Sequence, residues 1–235
     1  MRPLAILIAG EPVPAALAAR GSFAAMIRGA VGDAWQGEWA ELDGRAELPD
    51  FERFAGLIVT GSSANVPTRE PWILAIENYL ARAVTARARV FGICFGHQLL
   101  GQALGGEVAK NPNGREIGTV EVEILGSDPL LTAARGAFTA NMTHVDSVVK
   151  LPAGARLLAQ SPRDENAMVR FSETAWGVQF HPEIDAEIIG HYVAARRAAM
   201  IEEGLDADAI AAELRDTPAA IEILRRFAES ARSKC

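Results

Sequence analysis

Cys94 lies in the run Arg89-Val-Phe-Gly-Ile-Cys-Phe-Gly-His-Gln98, between Gly92 and Gly96. An apolar stretch closes at Gly92 and a helix-like pattern (Gln98, Leu99, Leu100, Gln102, Leu104) follows at once. This order of residues lifts a nucleophile onto a sharp strand-to-helix turn. Glycine on either side permits unusual backbone angles and close approach of neighbouring chain. The thiol then sits at a helix N-terminus, where the local field favours the reactive thiolate. Backbone N–H groups of the same turn are left free to hold an oxyanion. A lone cysteine at a strand end is otherwise a buried structural residue; the two glycines and the immediate helix favour the nucleophile.

A nucleophilic cysteine needs a base, and the base needs a carboxylate to fix its tautomer and support its positive form. The segment Ala175-Trp-Gly-Val-Gln-Phe-His-Pro-Glu183 reads as a buried strand that ends in such a pair. Pro182 makes a rigid turn, so His181 and Glu183 project from the strand end with their separation set. Spacing along the chain does not bring His181 to Cys94, because catalytic partners converge in space. On its own, His181 reads equally well as a histidine capping a strand.

The elements that must position these groups alternate along the first half. Apolar runs at 4–9, 54–60 and 90–93 read as buried strands, and 23–31 and 71–84 carry helical spacing. Buried strands bounded by helices imply an α/β fold, a mostly parallel sheet with crossovers on both faces. From Gly118 the texture changes. Thr119-Val-Glu-Val-Glu-Ile124 alternates strictly, as a half-exposed strand does. Short β segments near Phe138, Leu157, Met168 and Val178 add a smaller antiparallel part, and beyond Ile184 the pattern is helical, interrupted near Gly204 and at Pro218. No repeat, low-complexity tract or linker divides the chain, so a single domain over 1–235 is expected.

Composition agrees with an enzyme. The chain has 235 residues, 49% of them hydrophobic and 23% charged, ample for one core. The net charge of -7 and the absence of any Lys/Arg run longer than a pair argue against nucleic acid as a partner. The apolar start Leu4–Ala9 is cut off by Glu11-Pro12, too early for a secretory leader. No apolar run approaches the length that spans a membrane. With only Cys94 and Cys235 no disulfide framework is indicated, and the expected compartment is the reducing cytoplasm.

Gly-Ile-Cys-Phe-Gly-His-Gln together with Gly-Val-Gln-Phe-His-Pro-Glu resembles the class I (triad-type) glutamine amidotransferases, nearest to the glutaminase domain of GMP synthetase and its free-standing relatives. Further matches lie before and between the two motifs. Leu57-Ile-Val-Thr-Gly-Ser-Ser-Ala-Asn-Val66 resembles the family's glycine-rich oxyanion loop, Gly114-Arg-Glu-Ile-Gly118 a strand entry, and Met142-Thr-His-Val-Asp146 its Ser-His-x-Asp segment. The resemblance covers about residues 4–195, with a helical extension over 196–235, and implies the family's flavodoxin-like fold. It implies that Cys94, His181 and Glu183 form a triad. It also implies that the Gly61-Ser62 turn and Phe95 supply the oxyanion N–H groups, and that Gln98, Thr143 and His144 hold the glutamine. Neither a cofactor nor a metal is implied.

Two departures from the family's pattern stand out. Ser63 replaces a proline, which leaves the oxyanion loop less rigid, and Asn141 replaces an aromatic residue. No ATP-binding Ser-Gly-Gly-x-Asp-Ser loop follows, so amination of an acceptor is expected on a separate synthetase partner. Other residues invite different readings. Cys94-x-x-His97 lacks the further ligands a metal needs, so His97 is read as packing. Thr60-Gly-Ser-Ser63 lacks the lysine of a phosphate loop. His144 is a turn histidine or a substrate-side residue. The charged tail from Ile201 reads as solvated helix, and Cys235 as an exposed thiol without a role.

These readings converge on a glutaminase that passes ammonia to a partner. The alternatives are a stand-alone hydrolase of γ-glutamyl amides or peptides using the same triad, and a silent glutamine-binding protein that keeps only the fold.

Overall fold

The computed structural model describes residues 1–132 and 136–232; Cys235 lies outside them. The first half runs β1 (Leu4–Ile8), α1 (Pro14–Arg20), α2 (Phe23–Val31), β2 (Trp39–Asp43), β3 (Gly56–Val59), α3 (Pro71–Thr85), β4 (Val90–Ile93) and α4 (Phe95–Ala103). There follow β5 (Glu107–Lys110), β6 (Glu116–Ile124), β7 (Ala137–His144), β8 (Asp146–Lys150), β9 (Arg156–Gln160), β10 (Met168–Ser172) and β11 (Ala175–Val178). Three helices close the chain: α5 (Ala186–Glu202), α6 (Ala207–Ala212) and α7 (Pro218–Ser230).

A nine-stranded sheet in the order β2-β1-β3-β4-β11-β10-β9-β6-β7 forms the centre. The strands from β2 to β11 are parallel to their neighbours, and those from β10 to β7 pair antiparallel. The expected antiparallel part is thus largely a continuation of the same sheet, with β5 and β8 alone forming a separate small one. β11 joins the two halves, parallel to β4 on one side and antiparallel to β10 on the other.

Both faces are covered, as the alternation of side chains along a strand requires when neither face meets water. Leu4 and Ile6 of β1 pack with α2 and α7 on one face, while Ala5 and Leu7 pack with α3 and α4 on the other. Chain order reverses between β1 and β3, the point in an open α/β sheet where a crevice opens beyond the carboxyl ends of the strands.

Helix α1 and strands β2 and β8 were not legible as elements in the sequence. Only Ala16 of α1 is buried, β2 is an edge strand with a single buried residue, and β8 ends in two exposed positions, so none shows a sustained apolar period. The strand expected over 54–60 is shorter, because a turn over Phe51–Arg53 capped by Asp50 precedes it.

The tail is not a solvated appendage. Pro218 opens α7, whose Ile223, Leu224, Phe227 and Ala228 are buried in the cluster that holds Phe91 and Trp176. The Phe227 ring lies 5.1 Å from that of Phe91 and 6.3 Å from that of Trp176. Phe91 stands three residues before Cys94, so α7 supports the floor of the strand that leads to Cys94. Phe227→Ala is expected to lower the unfolding free energy by about 3–5 kcal/mol, as deletion of a buried aromatic ring does. Chemical denaturation tests this; a loss below about 1 kcal/mol would return the tail to the surface.

Candidate active site

Strand β4 delivers Cys94 and strand β11 delivers His181, and the two strands pair in parallel register with Gly177 beside Gly92 and Val178 beside Ile93. The Cys94 amide donates to the Val178 carbonyl at 2.8 Å, which extends the ladder into the turn. Residues far apart in sequence therefore emerge side by side at one sheet edge.

Cys94 has φ 50° and ψ -101°, a left-handed conformation that a side chain other than glycine's seldom adopts. The strain thus sits on the cysteine itself. The glycines serve close approach: a Cβ on Gly92 would fall 2.4 Å from the Gly96 carbonyl oxygen, and one on Gly96 would fall 2.5 Å from that of Val59. Helix α4 starts at Phe95, so the amides of its first turn have no carbonyl partner within the helix.

His181 is buried, stacked on Phe23 with ring centroids 6.0 Å apart and tilted against Tyr192 at 6.4 Å. Its Nδ1 meets Glu183 Oε1 at 2.8 Å. Burial disfavours the imidazolium, but the charge of Glu183 and that of the adjacent Cys94 sulfur outweigh it and push the His181 pKa up to about 10. Nε2 is buried on the side of the Cys94 sulfur, with no other partner among the described residues. Gly61 passes so close that a Cβ there would lie 2.8 Å from His181 Cε1.

The loop after β3 is braced by the hydroxyls of Thr60 and Ser62. Thr60 Oγ1 accepts from the Ala9 amide at 3.0 Å and donates to the Gly61 carbonyl at 2.9 Å. Ser62 Oγ donates to the Ala9 carbonyl at 3.0 Å and accepts from the Ala64 amide at 3.1 Å. Holding the Gly61 carbonyl orients the whole Gly61–Ser62 peptide plane, because the Ser62 N–H points to the opposite edge of that plane.

Asn141, which replaces the family's aromatic residue, clamps the segment that carries His181 and Glu183. Its carbonyl accepts from the His181 amide at 2.9 Å, and its Nδ2 donates to the Ile184 carbonyl at 2.8 Å. Thr119 donates to its Oδ1 at 2.7 Å, so the fully buried amide is satisfied.

Gln179 was not singled out in the sequence, although it lies within the His-Pro-Glu motif. It is fully buried, and its Nε2 donates to Cys94 Sγ at 3.4 Å. Gln98 Nε2 in turn donates to Gln179 Oε1 at 3.1 Å and to the Asp146 carbonyl at 2.7 Å. The one available signal was a polar residue at a position where a buried strand should be apolar.

His144 engages both ring nitrogens within the protein, Nδ1 with the Asp146 carbonyl at 3.0 Å and Nε2 with Glu116 at 3.3 Å. It lines the cavity without a free ring nitrogen to offer. His97 is fully buried against Phe171, and burial, with the nearby His144 charge, lowers its pKa to about 3. It packs as a neutral ring.

Cys94, Phe95, Gln98, Ser62, Thr143, His144 and His181 all line one cavity of about 600 Å³ outside the carboxyl ends of β1, β3, β4 and β11. Among the described residues no group of three His, Cys, Asp or Glu side chains is arranged to hold a metal ion, and no helix is long and apolar enough to cross a membrane.

Residues 39–199 match the family model for glutamine amidotransferase class-I. The chain is 36% identical over 132 residues to a glutamine-hydrolysing GMP synthase of Aeropyrum pernix, a match that covers 56% of this chain and 25% of that one. It is 31% identical over 169 residues to γ-glutamyl peptidase 4 of Arabidopsis thaliana, covering 69% of this chain and 67% of the relative. The crystal structure of a glutamine amidotransferase from Thermotoga maritima superposes with a TM-score of 0.72, over 99% of this chain and 100% of that one, at 18% identity. The likeness of that structure is one of fold.

Two outcomes follow from the geometry. A pKa raised on folding adds stability that is complete below the unfolded value, 6.5, and is lost as the pH rises through the folded value, about 10. Urea unfolding of the wild type should therefore weaken across that interval. In Glu183→Gln the folded value falls and the loss shifts to lower pH; an identical profile in the two proteins would contradict the ion pair. Asn141→Ala leaves the Ile184 carbonyl without its partner and is expected to cost about 1–3 kcal/mol, measurable by the same titration.

Proposed function

We propose that the chain, which belongs to the class I glutamine amidotransferases, hydrolyses the side-chain amide of L-glutamine and related γ-glutamyl amides through a thioester on Cys94. The observation that carries this reading is the strained turn that presents Cys94 beside the buried His181–Glu183 pair. In the first step Cys94 Sγ attacks the γ-carbonyl carbon, and the oxyanion that forms is held by the amides of Ser62 and Phe95. Gly61 leaves room for His181 beside it. His181, oriented by Glu183, passes its proton to the departing nitrogen as the C–N bond breaks. It then takes a proton from the water that hydrolyses the thioester and releases glutamate. Gln98 and the segment at Thr143 and His144, on the opposite flank, hold the glutamyl portion. Loss of one oxyanion donor in such a site costs roughly 3 kcal/mol of barrier.

Ammonia formed in this way would pass to an acceptor on a synthetase partner. The likeness to a glutamine-hydrolysing GMP synthase supports that reading. A second reading, with water as the only acceptor and an amino acid or peptide as the leaving group, is favoured by the likeness to γ-glutamyl peptidase 4 across about two thirds of both chains.

The test is product release by purified protein. The wild type should liberate glutamate from L-glutamine or from a γ-glutamyl anilide, and Cys94→Ala should bind the substrate and release nothing. Equal turnover by Cys94→Ala would remove the nucleophile from the scheme.

A further inference from the structure

The cavity extends past Cys94 and His181 to helix α5. Its volume, about 600 Å³, falls in the middle of the range of roughly 300–1,000 Å³ that serves drug-sized ligands. Its lining falls on two flanks of Cys94. Gln98 approaches Cys94 through Gln179, on the flank shared with Asp146 and His144. The other flank is His181, and beyond it helix α5, whose Tyr192 ring lies 6.4 Å from the His181 ring. Tyr192, Ala195, Arg196 and Ala199 of α5 all line the cavity. They stand at i, i+3, i+4 and i+7, one stripe of a helix, and the two alanines leave the space open.

Two donors on that stripe meet no acceptor among the described residues. Tyr192 is 6% exposed; its buried hydroxyl oxygen lies by the Val13 backbone N–H, and among the described residues the hydroxyl proton meets no acceptor. A buried hydroxyl left unpaired is costly unless something else satisfies it. Burial, with the charges of Glu183 and Cys94, raises the Tyr192 pKa, so the hydroxyl keeps its proton and can donate. Among the described residues no carboxylate pairs with Arg196. The other arginines at this end of the molecule are engaged: Arg115 makes a two-point contact with Glu203 at 2.8 and 2.9 Å, and Arg20 bridges Asp185 and Glu187. Glu11, the acidic side chain on this flank of the cavity, is exposed at its rim.

A leaving group departs beside the acid that protonates it, and in the mechanism above that acid is His181. Ammonia would leave this space empty and both polar groups unmet. We infer that the Tyr192–Arg196 flank is a leaving-group subsite for the α-carboxylate of an amino acid joined through its nitrogen to the γ-carboxyl of glutamate. The inference rests on the thioester chemistry proposed above and names its substrate class, the γ-glutamyl peptides. The Cys94 Sγ–carbon bond forms, the peptide C–N bond breaks, and the amino acid leaves with the proton from His181. Water then hydrolyses the thioester, so one peptide and one water give glutamate and a free amino acid.

The experiment compares γ-glutamylglycine with γ-glutamylglycinamide, which differ in the terminal carboxylate and scarcely in size. The wild type is expected to favour the carboxylate substrate by about tenfold in kcat/KM, the discrimination a site built for a charged group achieves over a neutral analogue. Arg196→Gln should bring the ratio close to one, Arg196→Lys should keep part of it, and Tyr192→Phe should lower it. Labelling of Cys94 by a γ-glutamyl chloromethyl ketone separates the inference from its premise. A labelled enzyme that turns over glutamine but shows no preference between the two peptides, or one whose preference survives Arg196→Gln, overturns the subsite and leaves the thioester mechanism standing. An enzyme that is neither labelled nor active on any of the substrates overturns both.

Discussion

The in-register parallel pairing of β4 with β11 is the constraint from which the site is built. It places the carboxyl ends of two strands from distant parts of the chain next to each other, and each ends in a chemical group. One residue of slip would turn Cys94 and the His181 segment to the wrong faces, since side chains alternate along a strand. Much of the surrounding structure prevents that slip. The Cys94 amide continues the ladder by donating to the Val178 carbonyl, Gly92 and Gly96 let the turn close, and α7 packs Phe227 against Phe91 beneath it.

Around this pairing the protein places polar groups in chains, each held by a neighbour. Glu183 orients His181, and Asn141 clamps the segment that bears both from two sides. Gln98 orients Gln179, which donates to the Cys94 sulfur. Thr60 and Ser62 tie the loop after β3 to the loop after β1 through Ala9. Buried polar chains of this kind are costly when broken and rigid when complete, which suits groups that must stay in place while a bond is made. The strain stored at Cys94 is tolerated because its neighbours on every side are fixed.

The same scaffold explains why the two flanks of the cavity differ. On the flank reached through Gln98 the protein fixes the side chains of Gln98 and His144 by hydrogen bonds of its own. The flank formed by α5 carries alanines and two donors that meet no acceptor among the described residues, and it is where an added group would find room. A family whose members share a nucleophile can diverge in substrate through such a flank without altering the chemistry.

Much of this was legible in the residues. The elbow around Cys94, the His-Pro-Glu end, the alternation of buried strands with helices and the half-exposed strand after Gly118 all have local causes: periodicity, glycine placement and the chemistry of side-chain types. What the sequence could not express was convergence. That Gln179 touches the Cys94 sulfur, that Asn141 braces the loop of His181, and that hydroxyls from Thr60 and Ser62 tie their loop to Ala9 depend on contacts between segments far apart in the chain. The same holds for α7, whose apolar stripe declared a helix but not the core it would enter, and for β2, an edge strand too polar to show a period. Local patterns follow from each residue and its near neighbours; the partners of buried polar groups are chosen only when the sheet has set which strands lie side by side.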